Sequence, residues 1–140
     1  MSRLKTRAAT LLACLLVSFG AVAVQASPAM AVGCYASGCT GKDPQVQGCS
    51  PDAIRYAEFT YGARFELRVS YACWAAWTRV TSTVHYNTIF GQVRANNGKV
   101  FGVQATQGQH WTKMINFDNL VRSCRSIWFD ADPIECTGWY

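Results

Sequence analysis

The sequence predicts a mostly β protein: a small antiparallel sandwich or barrel of about six or seven strands, stapled by disulfides. Three observations lead to this fold class. Apolar and polar residues alternate along several short stretches, as they do in strands with one buried face. Turn-forming residues separate these stretches about every eight to twelve positions. Six cysteines follow an N-terminal segment that resembles an export signal.

Residues 1–31 have the features of a secretory signal peptide. Three basic residues within the first seven precede an apolar run, and Ala29-Met30-Ala31 supplies the small-x-small pattern that signal peptidase reads. We expect cleavage after Ala31, with Ala26 as the alternative. The apolar run is shorter than the roughly 20 residues of a membrane anchor. The sequence therefore predicts a secreted, extracellular protein without membrane attachment after cleavage.

The charge of the mature chain is close to neutral. Removing residues 1–31 from the 140-residue chain leaves 109 residues, enough for one domain. Three of the thirteen Lys and Arg residues leave with that segment, and none of the eight Asp and Glu residues does. The remaining net charge is +2. This balance lacks the basic stripe of a nucleic-acid-binding protein, so no nucleic-acid partner is predicted.

The cysteines divide the mature domain into a loop-like segment, residues 32–52, and a β domain, residues 53–140. The cysteines available for bridging are Cys34, Cys39, Cys49, Cys73, Cys124 and Cys136. An exported domain of this size ordinarily uses six cysteines as three disulfides. The short gap between Cys124 and Cys136 favours that bridge, and the pairing of the other four stays open. No CxxC spacing occurs, which disfavours zinc.

The first strands of the β domain are predicted from alternation. Apolar residues alternate with polar ones from Arg64 to Tyr71, which is typical of a half-buried strand. Residues 53–60 predict a second strand that pairs with the first across Tyr61-Gly62-Ala63. A short helix capped by Ser50 is the alternative for 53–60.

A hairpin is the strongest local signal in the remainder of the chain. Asn97-Gly98 predicts a type I′ turn that joins Thr88–Ala95 to Lys99–Thr106. In that register Ala95 lies opposite Val100, and Arg94 lies opposite Phe101. Further strands are predicted at residues 111–117 and 121–129.

Two segments of the chain carry a family resemblance. The first reads CYASGCTGKDP from Cys34 to Pro44, and the second reads ELRVSYAC from Glu66 to Cys73, followed by WTRV at Trp77. These motifs resemble the YjfA-like family of secreted bacterial proteins, a domain of unknown function. The chain departs from the pattern at Ala72 and Thr78, where members more often carry Pro and Ala. The resemblance implies secretion and a small cysteine-bearing β domain, with no established chemistry.

Few parts of a catalytic site are present. His85 and His110 are the two histidines, and each lies where a solvated or stacked ring is the simpler explanation. No GxSxG or HExxH motif occurs. Asp130, Asp132 and Glu135 could supply oxygen ligands to Ca²⁺, but an acidic turn explains them more simply. We therefore predict no catalytic residues, no metal and no cofactor.

Aromatic residues are the more informative functional signal, since the chain contains five tryptophans. Aromatic side chains are enriched at protein interfaces, although a small β core also uses them. The side chains that we expect to contact a partner are Trp111, Trp128, Trp139 and Tyr140. The sequence favours a non-catalytic interaction module, such as an adaptor or accessory subunit, whose partner is another secreted or cell-surface protein.

Three alternatives to this hypothesis stay open. A carbohydrate- or cell-wall-binding domain would take a glycan as its partner and would align tryptophans on one exposed strand face. A secreted inhibitor or toxin would present a rigid loop such as residues 36–48. A small hydrolase, the least favoured class, would bring His85 or His110 within hydrogen-bond reach of a carboxylate and a hydroxyl.

Overall fold

Nine strands form two antiparallel sheets in the computed structural model, which describes residues 31–83, 85, 89–128 and 131–140. The two sheets pack face to face, so the fold class predicted from the sequence is confirmed. All of the predicted signal peptide except Ala31 lies outside the described residues, as do Val84, Tyr86 and Asp130. No helix among the described residues is long and apolar enough to span a membrane.

The first sheet contains β1 (Ile54–Tyr61), β2 (Ala63–Ser70), β3 (Ala75–Ser82), β6 (Gly108–Trp111) and β7 (Ile115–Asn116). Its order is β1-β2-β3-β6, and β7 pairs with the other end of β3. The second sheet has the order β5-β4-β8-β9 and contains β4 (Ile89–Ala95), β5 (Val100–Ala105), β8 (Val121–Ser126) and β9 (Glu135–Cys136). The single strand predicted at 111–117 is wrong, because residues 112–114 belong to no strand and separate β6 from β7.

Alternation correctly predicted β2, and the segment predicted at 53–60 forms a strand, β1 from Ile54 to Tyr61, not a helix. β1 and β2 pair across a tight turn at Gly62. Its φ of +64° lies in the left-handed region, which non-glycine residues rarely adopt. Phe65, Leu67 and Val69 are fully buried and face the second sheet. The opposite face of β2 is buried as well at Glu66 and Ser70, which alternation alone does not predict.

The hairpin between β4 and β5 has a different turn from the predicted one. Gly98 has a φ of +86°, but Asn97 has no positive φ, so a type I′ turn is wrong. The Gly98 N–H donates to Ala95 O at 3.1 Å, and the Ala95 N–H donates to Lys99 O at 2.9 Å. The loop therefore contains three residues, 96–98, with glycine in the left-handed position. This shifts the register by one, and Arg94 lies opposite Val100.

Residues 32–52, which we call the cap, lie on the outer face of the first sheet. A short 3₁₀ helix, Ala36–Cys39, is the only regular element described in the cap. The Gly41 N–H donates to Met114 O, and the Met114 N–H donates to Lys42 O, both at 2.9 Å. Beneath the cap Trp77 and Met114 are buried. The cap thus gives β3 a second buried face.

Three disulfides hold the described chain: Cys34–Cys39, Cys49–Cys73 and Cys124–Cys136. The predicted Cys124–Cys136 bridge is confirmed. Cys49–Cys73 joins the end of the cap to the turn between β2 and β3. Each such bridge typically stabilises a small domain by about 2–4 kcal/mol, mainly by restricting the unfolded chain.

The C-terminal tail continues the second sheet past β9. The Ile134 N–H donates to Arg125 O at 2.8 Å, and the Thr137 N–H donates to Ser123 O at 2.9 Å. Tyr140 and Val121 exchange two backbone hydrogen bonds, of 3.0 and 2.8 Å. The predicted strand at 121–129 ends at Ser126, and the tail pairs with it to the last residue.

Gly91 in β4 lies where the two sheets pack closely against each other. A β-carbon at this position would lie 2.4 Å from Val80 Cγ2. Such a contact requires backbone movement in a closely packed core, which typically costs about 1–3 kcal/mol. We expect Gly91→Ala to lower the free energy of unfolding by that amount in urea denaturation. The control is Gly38→Ala, where nothing lies within 4 Å of the new methyl group, and an equal loss in both variants would contradict the packing argument.

A buried carboxylate lies on the outer face of the first sheet. Glu66 is 1% exposed, and both of its oxygens accept hydrogen bonds from Arg79, at 2.7 and 2.9 Å. Arg64 and Arg68 lie 3.8 and 3.9 Å from the same carboxylate. Burial by itself would raise the pKa of Glu66, but the hydrogen bonds and charges of the arginines outweigh it and lower the pKa.

The lowered pKa of Glu66 predicts a dependence of stability on pH. A carboxylate with a depressed folded-state pKa stabilises the fold above its unfolded pKa, and this stabilisation is lost as pH falls through the folded pKa. We expect Glu66→Gln to cost about 2–3 kcal/mol at pH 7, because it leaves Arg79 without its ionic partner. The difference from the parent should shrink below the usual Glu pKa of 4.5.

The measurement is urea unfolding of both proteins from about pH 2.5 to about pH 7, which spans roughly two units on either side of the usual Glu pKa. Glu58→Gln is the matched control, since Glu58 is a partly exposed carboxylate of the neighbouring strand β1 and pairs with Arg55 of the same strand. Its effect should stay within about 0.5 kcal/mol. A Glu66→Gln effect that does not change with pH would contradict the assignment.

Candidate interaction surface

Five aromatic rings form a continuous cluster at the end of the sandwich where β2 turns into β3. We call it the aromatic surface, and its members are Tyr56, Tyr71, Trp74, Phe117 and Tyr140. Neighbouring ring centroids lie 5.2–6.3 Å apart. Tyr56, Tyr71 and Tyr140 are 39, 47 and 42% exposed, and the other two rings are half-buried. The cluster therefore combines a packed base with an accessible rim.

The cap positions the turn that carries two of these rings. The Asp52 carboxylate accepts hydrogen bonds from Ser70 Oγ at 2.7 Å and from the Ala72 N–H at 3.1 Å. The Cys73 N–H donates to the same Ser70 hydroxyl at 3.0 Å. Together with the bridge to Cys49, these bonds hold the four-residue turn 71–74 against the cap.

Trp74 occupies an uncommon backbone conformation at the end of this turn. Its φ is +50°, in the left-handed region that bulky residues rarely adopt. Two hydrogen bonds compensate, since the Phe117 N–H donates to Trp74 O at 3.1 Å and the Trp74 indole N–H donates to Asp118 at 2.6 Å. The conformation aims the indole toward the loop after β7, so both turns contribute to one surface.

The other side of the aromatic surface comes from two sheet edges. Tyr56 lies in β1, the outer strand of the first sheet, and Tyr140 is the last residue of the tail paired with β8. Their ring centroids lie 5.2 Å apart with an interplanar angle of 77°. This contact joins the two sheets at their edge and fixes the tail's final side chain.

Neighbouring groups shift the pKa values of two polar side chains at the aromatic surface, Asp118 and Tyr71. Asp118 accepts from Asn116 Nδ2 at 2.8 Å as well as from Trp74, and these hydrogen bonds, that of Asn116 first, lower the pKa of the carboxyl. Partial desolvation raises the pKa of Tyr71, and the neighbouring Tyr56 raises it further. At neutral pH the rim therefore presents the neutral phenol of Tyr71 and the ionised carboxylate of Asp118.

The four aromatic residues predicted to contact a partner lie in separate places. Only Tyr140 belongs to the aromatic surface. Trp139 is partly exposed under the Arg122 guanidinium, 4.2 Å from the ring centroid. Trp128 is 66% exposed, with its ring centroid 5.7 Å from that of Phe90. Trp111 is partly buried, and its indole donates to Asp43 Oδ2 at 2.9 Å, which ties the cap to β6.

Sequence reasoning missed four members of the surface: Tyr56, Tyr71, Trp74 and Phe117. They come from β1, the β2–β3 turn and the segment after β7, so no local pattern connects them. One signal was available at Tyr71, which extends the alternation of β2 by one position past the strand end.

His110 and Glu135, which were considered for catalysis and for calcium binding, lie outside the aromatic surface. His110 Nε2 lies 3.3 Å from the backbone oxygen of Gln107. Glu135 lies in β9, opposite Arg125. Asp130 is outside the described residues. His110 and Glu135 therefore belong to different sheets.

Comparison with known protein families supplies a match. Residues 37–126 match a family described as a protein of unknown function, DUF2690. The chain belongs to this family. No curated protein and no solved structure matched the chain. The matched region includes β1 to β8, while the tail that carries Tyr140 lies beyond it.

The Asn116–Asp118 contact can be tested by titration. Asn116→Ala removes the amide that donates to the carboxylate, so we expect the pKa of Asp118 to rise toward its ordinary value. The measurement is an NMR pH titration of the Asp118 side-chain carbon. Asn119→Ala is the control, because Asn119 bonds with Asn97 instead. An unchanged Asp118 pKa in Asn116→Ala would contradict the assigned cause.

Proposed function

We propose that this DUF2690 chain is a secreted, non-catalytic interaction module that binds another extracellular protein through the aromatic surface, as an adaptor or accessory subunit. The observation that supports the proposal is the clustering of three accessible tyrosines on a rigid, bridged scaffold. Tyrosine and tryptophan supply much of the binding energy at protein interfaces. A scaffold that is ordered before binding loses little conformational entropy on association.

The ring geometry favours a protein partner over a glycan. The ring planes of Tyr56, Tyr71 and Trp74 lie at 73, 70 and 66° to that of Phe117, and that of Tyr140 lies at 77° to Tyr56. Edge-to-face packing leaves edges and hydroxyl groups on the rim, and none of the ring pairs in contact within the surface is coplanar, as a flat platform for a sugar ring would be. Tyrosine side chains in this orientation offer both an apolar ring edge and a hydroxyl group, which can contact an uneven protein surface.

An open sheet edge lies beside the aromatic surface and supports the same partner class. Among the described residues β1 pairs with β2 alone, so its other side offers backbone donors and acceptors to an added strand. A register shift between Arg55 and Ala57 and the Arg55–Glu58 ion pair interrupt this edge. Such features limit indiscriminate pairing between sheets. Tyr56 lies within the interrupted stretch and could anchor a specific partner strand.

Secretion belongs to the proposal as well. The first 31 residues have the pattern of an export signal, and all six cysteines of the mature chain are in bridges, which persist in oxidising compartments. We also infer membership of the YjfA-like group, from the CTGKDP run that ends at Pro44 and the ELRVSYAC run that ends at Cys73.

The test is affinity capture from the producer's own culture fluid with quantification by mass spectrometry. The tag is placed directly after Ala31, because the main chain of Tyr140 pairs with Val121. The variant is Tyr56→Ala with Tyr71→Ala, and the matched control is Tyr35→Ala, an exposed tyrosine of the cap outside the aromatic surface. Circular dichroism checks that each protein is folded.

We expect one stoichiometric protein partner for the parent and for the control. Loss of two interface anchors should weaken its binding at least about 30-fold, which corresponds to about 2 kcal/mol. Equal capture by the double variant would overturn the assignment of the surface. Specific binding to purified peptidoglycan or polysaccharide, lost in the double variant, would replace the protein partner by a glycan.

A further inference from the structure

We propose that the four cysteines at the junction of the cap and the first sheet bind a zinc ion when their two disulfides are reduced. The residues are Cys34, Cys39, Cys49 and Cys73, whose four Sγ atoms all lie within 4.8 Å of one another. Two independent disulfides need no such proximity. The arrangement instead places four soft ligand atoms around one point.

The dimensions suit a tetrahedral thiolate site. Zinc–sulfur bonds of about 2.3 Å put the sulfurs of a tetrahedral site about 3.8 Å apart. The observed upper limit of 4.8 Å is only about 1 Å longer. On reduction, each bonded pair separates while the sulfurs of different bridges move slightly closer. Side-chain rotation at four cysteines can supply movements of this size.

Backbone hydrogen bonds hold Cys49 and Cys73 in place independently of the sulfur bonds. The Ala36 N–H, between Cys34 and Cys39, donates to Cys73 O at 2.8 Å. The Cys49 N–H donates to Pro44 O at 2.9 Å within the cap. Breaking the sulfur bonds leaves these hydrogen bonds intact, so the thiols stay assembled.

The surroundings favour a closed, structural site. Cys39, Cys49 and Cys73 are fully buried, and Cys34 is partly buried. Apolar side chains, including those of Trp77 and Met114, pack around the sulfurs and exclude water. Four protein ligands without an open position stabilise a fold and do not activate a substrate. The zinc ion would tie the cap to the β2–β3 turn as the disulfides do.

The chemistry needs a reductant and releases protons. A phosphine reduces each disulfide to two thiols, with two electrons from phosphorus, two protons from water, and one phosphine oxide formed per bridge. Zn²⁺ then binds as the thiols lose their protons, so binding weakens as pH falls. The spacing of Cys34 and Cys39, with four residues between them, lies within the range used by structural zinc sites. The other two ligands come from distant positions.

The test uses the full mature chain, reduced with a phosphine under anaerobic conditions and titrated with Co²⁺ as a spectroscopic substitute for Zn²⁺. We expect one equivalent to produce thiolate-to-cobalt charge-transfer bands and the intense visible bands of tetrahedral coordination. Zn²⁺ should displace the Co²⁺ and raise the melting temperature of the reduced protein. Oxidised protein should show neither effect.

Two ligand variants and one control separate this site from other thiols. Cys39→Ser and Cys34→Ser should each weaken Zn²⁺ binding more than about 100-fold, beyond the usual cost of losing a supporting contact. Cys124→Ser with Cys136→Ser should keep the full spectrum, because that bridge is outside the four-sulfur cluster. Absence of tetrahedral thiolate bands in the parent would overturn the proposal. Bands that persist in both ligand variants, or vanish in the control, would do so as well.

Discussion

The structure depends on the Cys49–Cys73 bridge, because it fastens the cap to the sheet that the cap covers. The cap contains one short 3₁₀ helix and little apolar material, so burial alone cannot hold it. Closing the 24-residue separation between these cysteines removes a large part of the unfolded chain's freedom. With the cap in place, Trp77 and Met114 become core residues. Without it they would form an exposed apolar patch on the outer face of β3.

A second bridge acts in the same way on the second sheet, so this small domain has irregular segments packed on the outer faces of both sheets. The cap covers the first sheet, and the segment after β8 covers part of the second. There the buried Gln92 side chain donates to the backbone oxygens of Trp128 and Ala131, at 3.3 and 3.1 Å. The Cys124–Cys136 bridge returns the chain to the sheet. Irregular segments take the place of a third layer of secondary structure. Disulfide bridges hold these segments on the sheets, where a regular layer would be held by the burial of its apolar side chains.

The aromatic surface is a consequence of this stapling. Tyr71 and Trp74 flank the bridged turn, and Trp74 keeps its left-handed conformation because the loop after β7 accepts and donates hydrogen bonds to it. Rings that a flexible turn would bury or scatter are instead held beside Phe117. The bridged turn therefore makes these rings both rigid and exposed, and the proposed interaction module requires this combination.

The sequence by itself determined the features that depend on neighbours along the chain. Alternation from Arg64 to Tyr71 predicted β2 because side chains on a strand alternate between faces. The short gap from Cys124 to Cys136 predicted their bridge. Asn97-Gly98 marked the hairpin, but its register depended on whether Asn97 adopts a positive φ, which local composition does not settle.

Only the tertiary structure decided which distant segments meet. It placed the cap over β3, brought the four cysteines of two bridges together, and assembled the aromatic surface from both sheets. Trp111 shows the difference, since its position on a strand was predictable but its bond to Asp43 joins residues 68 positions apart. Contacts of this kind are selected by packing of the whole chain, and no local pattern encodes them.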